Sequence, residues 1–382
     1  MAEFLKLMEN WDGYVPVRAV RLGEAAQARF LDLISNADRM PTHRHDYLLR
    51  EAVTTSDFPA LFGLTLEQQV LAKYRAVVGD WRQWTKIKTV PNFNRYPRHK
   101  IYGNDNYLPQ VSEKGEYLVR PSGTAPYYVQ VFKHGAQFDI SWESTINDIL
   151  GAFEDIPERF ATAAIRTLAR DATALYASAA GPNVRLFGAP IADVDGQAVI
   201  NLGILPLTIT NIEDTLSLMA QQPDPNGEPI SVRGIHLVVP PALEFRARSI
   251  LTSALKQWTD VIFAAAQPMP TTNILPQLGL QLHVDPYLPV VDRSGNANRT
   301  WYLFADPSQG EAVEMDFLRG HEEPEICMKA SDKVTVGGTS LSPFSGDFAS
   351  DNVFYRVRIV HGGTQLDPRF AYAQVGAVEE QN

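Results

Sequence analysis

Trp84-Thr85-Lys86-Ile87-Lys88-Thr89-Val90 leads out, and Gln137-Phe138-Asp139-Ile140-Ser141-Trp142 ends the way back. In the second stretch Phe138, Ile140 and Trp142 alternate with Gln137, Asp139 and Ser141, the period-two pattern of a half-buried strand. The outgoing limb spans about Trp84 to Val90, and the returning limb about Tyr127 to Trp142. Between them lie Pro91, Pro97, Gly103, Pro109, Gly115, Pro121, Gly123 and Pro126, set among aromatic and basic residues. Ordinary hairpin loops have about 2 to 5 residues. This is therefore a long two-stranded excursion with no core of its own, which is either functional or packed on something else.

Toward the N-terminus, residues 1–60 read as an extended arm with one helix, Glu24 to Ser35, bracketed by Pro16 and Pro41. Thr54 to Pro59 forms a turn and capping region, and a second helix is predicted over Leu66–Val77, with Thr65 as N-cap and Gly79 after its end. Toward the C-terminus, Pro157 to Ala180 is the longest predicted helix. Pro157 suits its first position, and Phe160, Ala164, Leu168, Leu175 and Ala179 form its apolar stripe. It spans roughly 36 Å at about 1.5 Å per residue. Residues 185–310 alternate strand and helix. The helix Asn211–Gln222 is capped by Asn211 and stopped by Pro223, the strand Ile235–Val239 precedes a helix Pro241–Leu255, and strands follow at Leu280–Val284 and Trp301–Ala305. Glu311–Lys329 and Val353–Val360 are further strand candidates, which makes an α+β pattern.

The 382 residues imply two or three packed units. The lone cysteine, Cys327, excludes an intramolecular disulfide and reads as inert packing beside Ile326 and Met328. Glu3, Lys6 and Glu9 interrupt the first ten residues, so a signal peptide is not expected. No apolar run approaches the roughly 18 residues of a membrane span, so a protein made and folded in a cytoplasm is expected. The net charge of −10 is opposite in sign to that of a typical DNA-phosphate binder. It is unevenly spread: residues 81–135 hold nine Lys or Arg against three Asp or Glu, and residues 136–382 hold sixteen against thirty. A basic arm accompanies an acidic body.

Signatures of catalysis are missing. The chain has no G-x-S-x-G elbow, no P-loop, no G-x-G-x-x-G after a strand and no H-E-x-x-H. His43-Arg44-His45 reads as a solvated turn rather than a metal corner, and His321-Glu322-Glu323 as a solvated edge rather than an acid/base cluster. Asp193 to Gly196 and Asp224 to Glu228 echo parts of a calcium loop but lack its full spacing, so they read as turns. His361-Gly362-Gly363 has the look of an oxyanion-hole loop without a nucleophile to use it. No cofactor and no metal are expected.

Five stretches occur in an order that resembles the tailed-bacteriophage major capsid proteins, especially those of actinobacteriophages. They are Leu49 to Pro59, Ile140-Ser141-Trp142-Glu143 to Asp148, Leu237 to Glu244, Trp301 to Pro307, and Phe317 to Glu325. The 24 Arg against 10 Lys agree with that host group. The resemblance implies a Hong Kong ninety-seven-like fold. It would have an N-arm (1–60), a first part of the peripheral domain (61–84) and an extended E-loop with its strand limbs (85–140). A peripheral domain with its spine helix (141–184), an axial domain (185–310) and a return through the peripheral domain to the chain end (311–382) would follow. It implies a non-enzymatic subunit that assembles as pentamers and hexamers into an icosahedral head around double-stranded DNA, within the virion and built in the host cytoplasm. A portal and a decoration protein are implied partners, and the absence of a long charged extension before the arm points to a separate scaffolding protein. Phe93, Arg95, Tyr96, Arg98, Lys100, Tyr102 and Tyr107 are the expected E-loop contacts to a neighbouring subunit. The alternatives are an encapsulin-like compartment shell and a mixed α/β hydrolase.

Overall fold

The computed structural model describes residues 70–75, 79–102, 110–111, 113–117, 123–141, 150–188, 191–192, 198–223, 228–258, 269–329, 331–337 and 346–376. The arm of residues 1–60, with His43 and His45, lies outside them, as do Tyr107, Asp193 to Gly196 and Asp224 to Gly227. Of the helix expected at Leu66–Val77, residues 70–75 are described and are helical.

Strand β1 (Lys86–Val90) leads into β2 (Tyr96–Tyr102), β3 (Gly123–Val129) and β4 (Phe132–Ile140). Helix α1 (Leu150–Tyr176) precedes the short strands β5 (Ala177–Ser178), β6 (Gly181–Pro182), β7 (Ile191–Ala192), β8 (Ala198–Val199) and β9 (Leu202–Gly203). Next come α2 (Ile209–Ala220), β10 (Gly234–Val239), α3 (Glu244–Thr252), β11 (Leu255–Trp258), β12 (Met269–Thr272), β13 (Gln281–Val284) and α4 (Leu288–Val291). The order continues with β14 (Trp301–Ala305), β15 (Val313–Leu318), β16 (Glu325–Met328), β17 (Val353–Gln365) and β18 (Ala371–Gln374).

The chain divides into two compact units. One comprises Met1–Leu66, Phe138–Leu150 and Cys327–Tyr355, and the other Glu67–Gln137, Gly151–Ile326 and Arg356–Asn382. Within the first, Phe138 and Tyr355 stack with ring centroids 5.1 Å apart, and Asn352 Nδ2 donates to Asp139 Oδ2 at 2.7 Å.

Two five-stranded sheets organise the fold. The first has the order β1-β15-β17-β16, with β4 also paired to β17. β1 runs parallel to β15, and β15 antiparallel to β17. The outgoing and returning limbs are thus not each other's partners, because β15 and β17 lie between them in the sheet. Alternation identifies a strand without naming its partner. The two-stranded ribbon itself is β2 against β3, farther along the excursion.

The second sheet, all in the larger unit, has the order β13-β10-β14-β18-β9. Every residue of β14 is buried. Tyr302 and Phe304 join a core with α1 residues Leu168, Leu175 and Tyr176 and with Met315 and Phe317 of β15. Trp301, Leu303 and Ala305 join the core formed with Ile212 and Met219 of α2 and Ala247 and Ile250 of α3. A continuous apolar run is what a strand covered on both faces requires.

Several boundaries differ from the sequence reading. Helix α1 starts at Leu150, so Pro157 lies inside it. Proline forfeits one helical hydrogen bond, and Ala161, Ala164, Leu168, Ala172 and Tyr176, which follow it, are buried and hold the helix. The helix ends at Tyr176 rather than Ala180, because Asn183 Nδ2 donates to the Leu175 carbonyl at 3.1 Å and the chain turns into β5 and β6. Helix α2 is capped by Thr208, whose side chain accepts from the Asn211 N–H, so Asn211 sits in the first turn. The stretch Pro241–Leu255 is a 3-10 turn followed by α3, and Leu255 already belongs to β11. His361-Gly362-Gly363 lies within β17. A Cβ on Gly362 would fall 2.0 Å from the Gln130 carbonyl oxygen, and one on Gly363 2.8 Å from that of Glu314. Close approach, not oxyanion binding, accounts for the glycine pair.

On β13 the polar position is the most buried: His283 is buried, whereas Leu282 and Val284 are half-buried. His283 Nε2 lies 3.0 Å from Nδ1 of buried His236 on β10, and its ring centroid is 4.8 Å from that of Trp84. A ring-to-ring hydrogen bond needs one donor and one acceptor, so protonating both rings sets N–H against N–H. Burial and then the His236 charge push His283 down to about 4, against the opposing influence of Asp80. Burial also lowers His236, with Asp306 opposing. A folded-state value below the ordinary 6.5 means that this contribution is complete above pH 6.5 and is lost as pH falls toward about 4. We expect the stability difference between the unmodified chain and His283→Gln, measured by urea unfolding, to shrink across that window. A difference independent of pH would refute the assignment.

Candidate assembly surface: the hairpin and its buried anchor

In the ribbon, Tyr96 pairs with Val129, Arg98 with Tyr127, Lys100 with Ala125 and Tyr102 with Gly123. Pro97 and Pro126 are tolerated because both strands of a two-stranded sheet are edges, where a missing N–H costs no ladder bond. Phe93, Tyr96, Tyr128 and Phe132 are exposed along or beside the ribbon, and so is Tyr117 in the connection. At the foot, Val90, Val129, Val131, Leu318 and Val360 make a small apolar cluster.

The foot is also held by charge. On β15, Val313, Met315 and Phe317 enter the core, so the alternate residues Glu314 and Asp316 point to the other face, and both are 0% exposed. Arg98 Nε donates to Glu314 Oε1 at 2.8 Å, and its Nη2 to Asp316 Oδ1 at 2.6 Å. Lys88 Nζ donates to Glu314 Oε2 at 2.9 Å and to Glu311 Oε2 at 2.7 Å. Buried carboxylates demand such partners, since an unpaired buried charge is costly. Asp316 Oδ2 has no hydrogen-bond partner. Burial, then the Glu314 carboxylate, push Asp316 up to about 7 despite Arg98. Burial works against the charge on Lys88 and Arg98, yet the facing carboxylates hold both above their ordinary values.

The residues expected to contact a neighbour therefore divide. Arg98 is bound within its own chain, and the Arg95 guanidinium lies 4.1 Å from the Tyr128 ring centroid. Phe93 and Tyr96 are exposed. Lys100 and Tyr102 occupy register positions on β2, and Tyr107 lies outside the described residues. Sequence reasoning missed Lys88, Glu314 and Asp316. The available signal was an acid at alternate positions of an otherwise apolar strand, Val313-Glu314-Met315-Asp316-Phe317.

The other polar motifs have structural partners. Glu323 accepts two hydrogen bonds from Arg75, both 2.7 Å. Glu325 pairs with His321 and Arg358, and these contacts overcome burial to lower its pKa. Cys327 is half-buried. Among the described residues, one group has the spacing of metal ligands: His134, Asp171 and His361.

Two measurements test the anchor. Replacing Arg98 by Met should destabilise the fold by about 2–4 kcal/mol, at or below the range for a stranded buried charge, because Lys88 remains and Asp316 can take a proton. In a double-mutant cycle with Asp316→Asn the two losses should be strongly non-additive, and simple additivity would dissolve the pairing. The folded-state value of Asp316 lies above the usual 3.8, so its contribution is full below that pH and is lost as pH rises to about 7. Asp316→Asn should remove this slope, and a slope that survives would exclude Asp316 as its source.

The family model described as "Phage capsid protein" matches residues 125–374. No curated protein sequence matches. Among solved structures, one from Gordonia phage Cozz is 12% identical, with a TM-score of 0.43 over 78% of this chain and 85% of the other. The capsid structure of cyanophage P-SCSP1u is 13% identical, with a TM-score of 0.44 over 79% and 90%. The capsid of a native GTA particle is 12% identical, with a TM-score of 0.45 over 79% and 92%. The family match takes in well over half of the sequence, with the strands β15 and β17 on which the hairpin's foot rests, so the chain belongs to the phage capsid protein family and is a structural subunit of a capsid.

Proposed function

We propose that the chain assembles through pentamers and hexamers into the icosahedral head of a tailed phage around double-stranded DNA. In this reading residues 85–140 are the E-loop that lies on the adjacent subunit, 1–60 the N-arm, 61–84 and 141–184 the peripheral domain, and 185–310 the axial domain. Residues 311–382 are the return to the chain end. The role is non-catalytic, the portal and a separate scaffolding protein are partners, and assembly takes place in the host cytoplasm. The family match favours neither an encapsulin-like compartment nor a hydrolase.

One observation carries the E-loop reading: the ribbon exposes Tyr128 on the face opposite Arg98 and Val129, and Phe93 and Phe132 are exposed beside it. An isolated hairpin is at best marginally stable in water, and clustered exposed aromatic residues characterise interaction surfaces. Among the described residues, Arg98 and the valine cluster fasten the foot within the chain. The outer face remains for a partner, and in a closed shell the same contact recurs at every subunit.

We expect the double variant Phe93→Ser/Tyr128→Ser to unfold at the same urea concentration as the unmodified chain and to yield at least tenfold fewer closed particles by electron microscopy. Normal particle yield would remove the ribbon's aromatic face from assembly. Arg95→Glu tests the charge component. Exposed ion pairs contribute only about 0.2–1 kcal/mol each, so the single variant should slow assembly mainly at low salt, where screening is weak.

A further inference from the structure

We propose that His134, Asp171 and His361 bind a divalent transition-metal ion, zinc by donor chemistry, where β4, α1 and β17 meet. This inference does not depend on the assembly reading. The His361 Nε2 lies 2.7 Å from Asp171 Oδ2, His134 Nδ1 lies 3.9 Å from the same oxygen, and the three ligand atoms fall within 4.8 Å of one another. Two donors each about 2.1 Å from a tetrahedral zinc stand roughly 3.4 Å apart. The observed spacings bracket that distance, so small side-chain rotations complete the geometry.

The donor set selects the ion. Two imidazole nitrogens and one carboxylate suit zinc, cobalt, nickel or copper, whereas magnesium and calcium prefer all-oxygen sites. The two rings stack with centroids 4.2 Å apart and planes inclined by 23°. Both rings turn a nitrogen toward the same carboxylate oxygen of Asp171, so three donors converge on one point. His361 is buried, but His134 and Asp171 are both half-exposed, which gives an ion a path in and leaves a coordination position for water. Lys133, Arg356 and Arg358 line a groove beside His134, and Arg358 is already paired with Glu325. This positive surround lowers the affinity for a cation.

The physical consequence follows from where the ligands sit. β4 follows directly on the ribbon strand β3, α1 supplies the main core stripe, and β17 pairs with β15, which carries the buried acids. An ion held by all three ties the foot of the ribbon to the core, and a ligand that binds only the folded state stabilises it.

The experiment uses the full chain, purified without a histidine tag, stripped with EDTA and titrated with zinc sulfate by calorimetry. Cobalt absorption reports the coordination. One zinc per chain, no binding of magnesium or calcium, and a higher Tm in zinc are expected. His134→Gln and Asp171→Asn should each weaken zinc binding at least tenfold, and His134→Gln, at a half-exposed position, should do so without lowering the Tm of the metal-free protein. Zinc binding unchanged in both variants would assign the ion to other histidines and overturn the proposal. So would the absence of binding by a folded chain at millimolar zinc, which would leave a stacked histidine pair and a carboxylate with a purely structural role.

Discussion

Two carboxylates buried on one strand constrain much of this structure. Glu314 and Asp316 project from β15 on the face opposite the core, and both are fully removed from solvent. Removing a carboxylate from water costs several kcal/mol unless cations and hydrogen bonds compensate. Lys88 and Arg98 supply that compensation. Lys88 does so from β1, which runs parallel to β15, and Arg98 from the first strand of the ribbon. The excursion is therefore anchored at its foot by electrostatics as well as by the valine cluster.

The same strand has a second obligation. Val313, Met315 and Phe317 pack against α1 and the two-sided strand β14. A change at the acid pair is thus felt by the main core through one backbone, and packed cores transmit such strain because they have little free volume. The body supplies rigidity through buried apolar area, and the ribbon supplies exposed aromatic surface.

The two buried ionisable clusters also differ in kind. The histidine pair between β10 and β13 holds the folded state in its neutral form, so acid opposes it. The acid pair holds Asp316 near its protonated form, so base opposes it. Their dependences on pH run in opposite directions over overlapping ranges, which makes the net profile of the intact chain flatter than either contribution alone.

Sequence alone determined the features that are local. The alternation of Phe138 and Ile140 marked β4, the Trp301–Ala305 run marked a strand, and the length between the limbs marked an excursion without a core. Periodicity is written in consecutive residues, so it survives without knowledge of the partner. Only tertiary structure decided what depends on distant pairing. The limbs are separated by β15 and β17, Arg98 belongs to acids more than two hundred positions away, and His134 and His361 meet on Asp171. The start of α1 before Pro157 and the capping of α2 by Thr208 follow the same division, since packing of the later stripe and the local path of the chain overrode the residue preferences. A charged side chain carries no mark of its own burial; that is set by which strand is laid beside it, and strand pairing is a property of the whole fold.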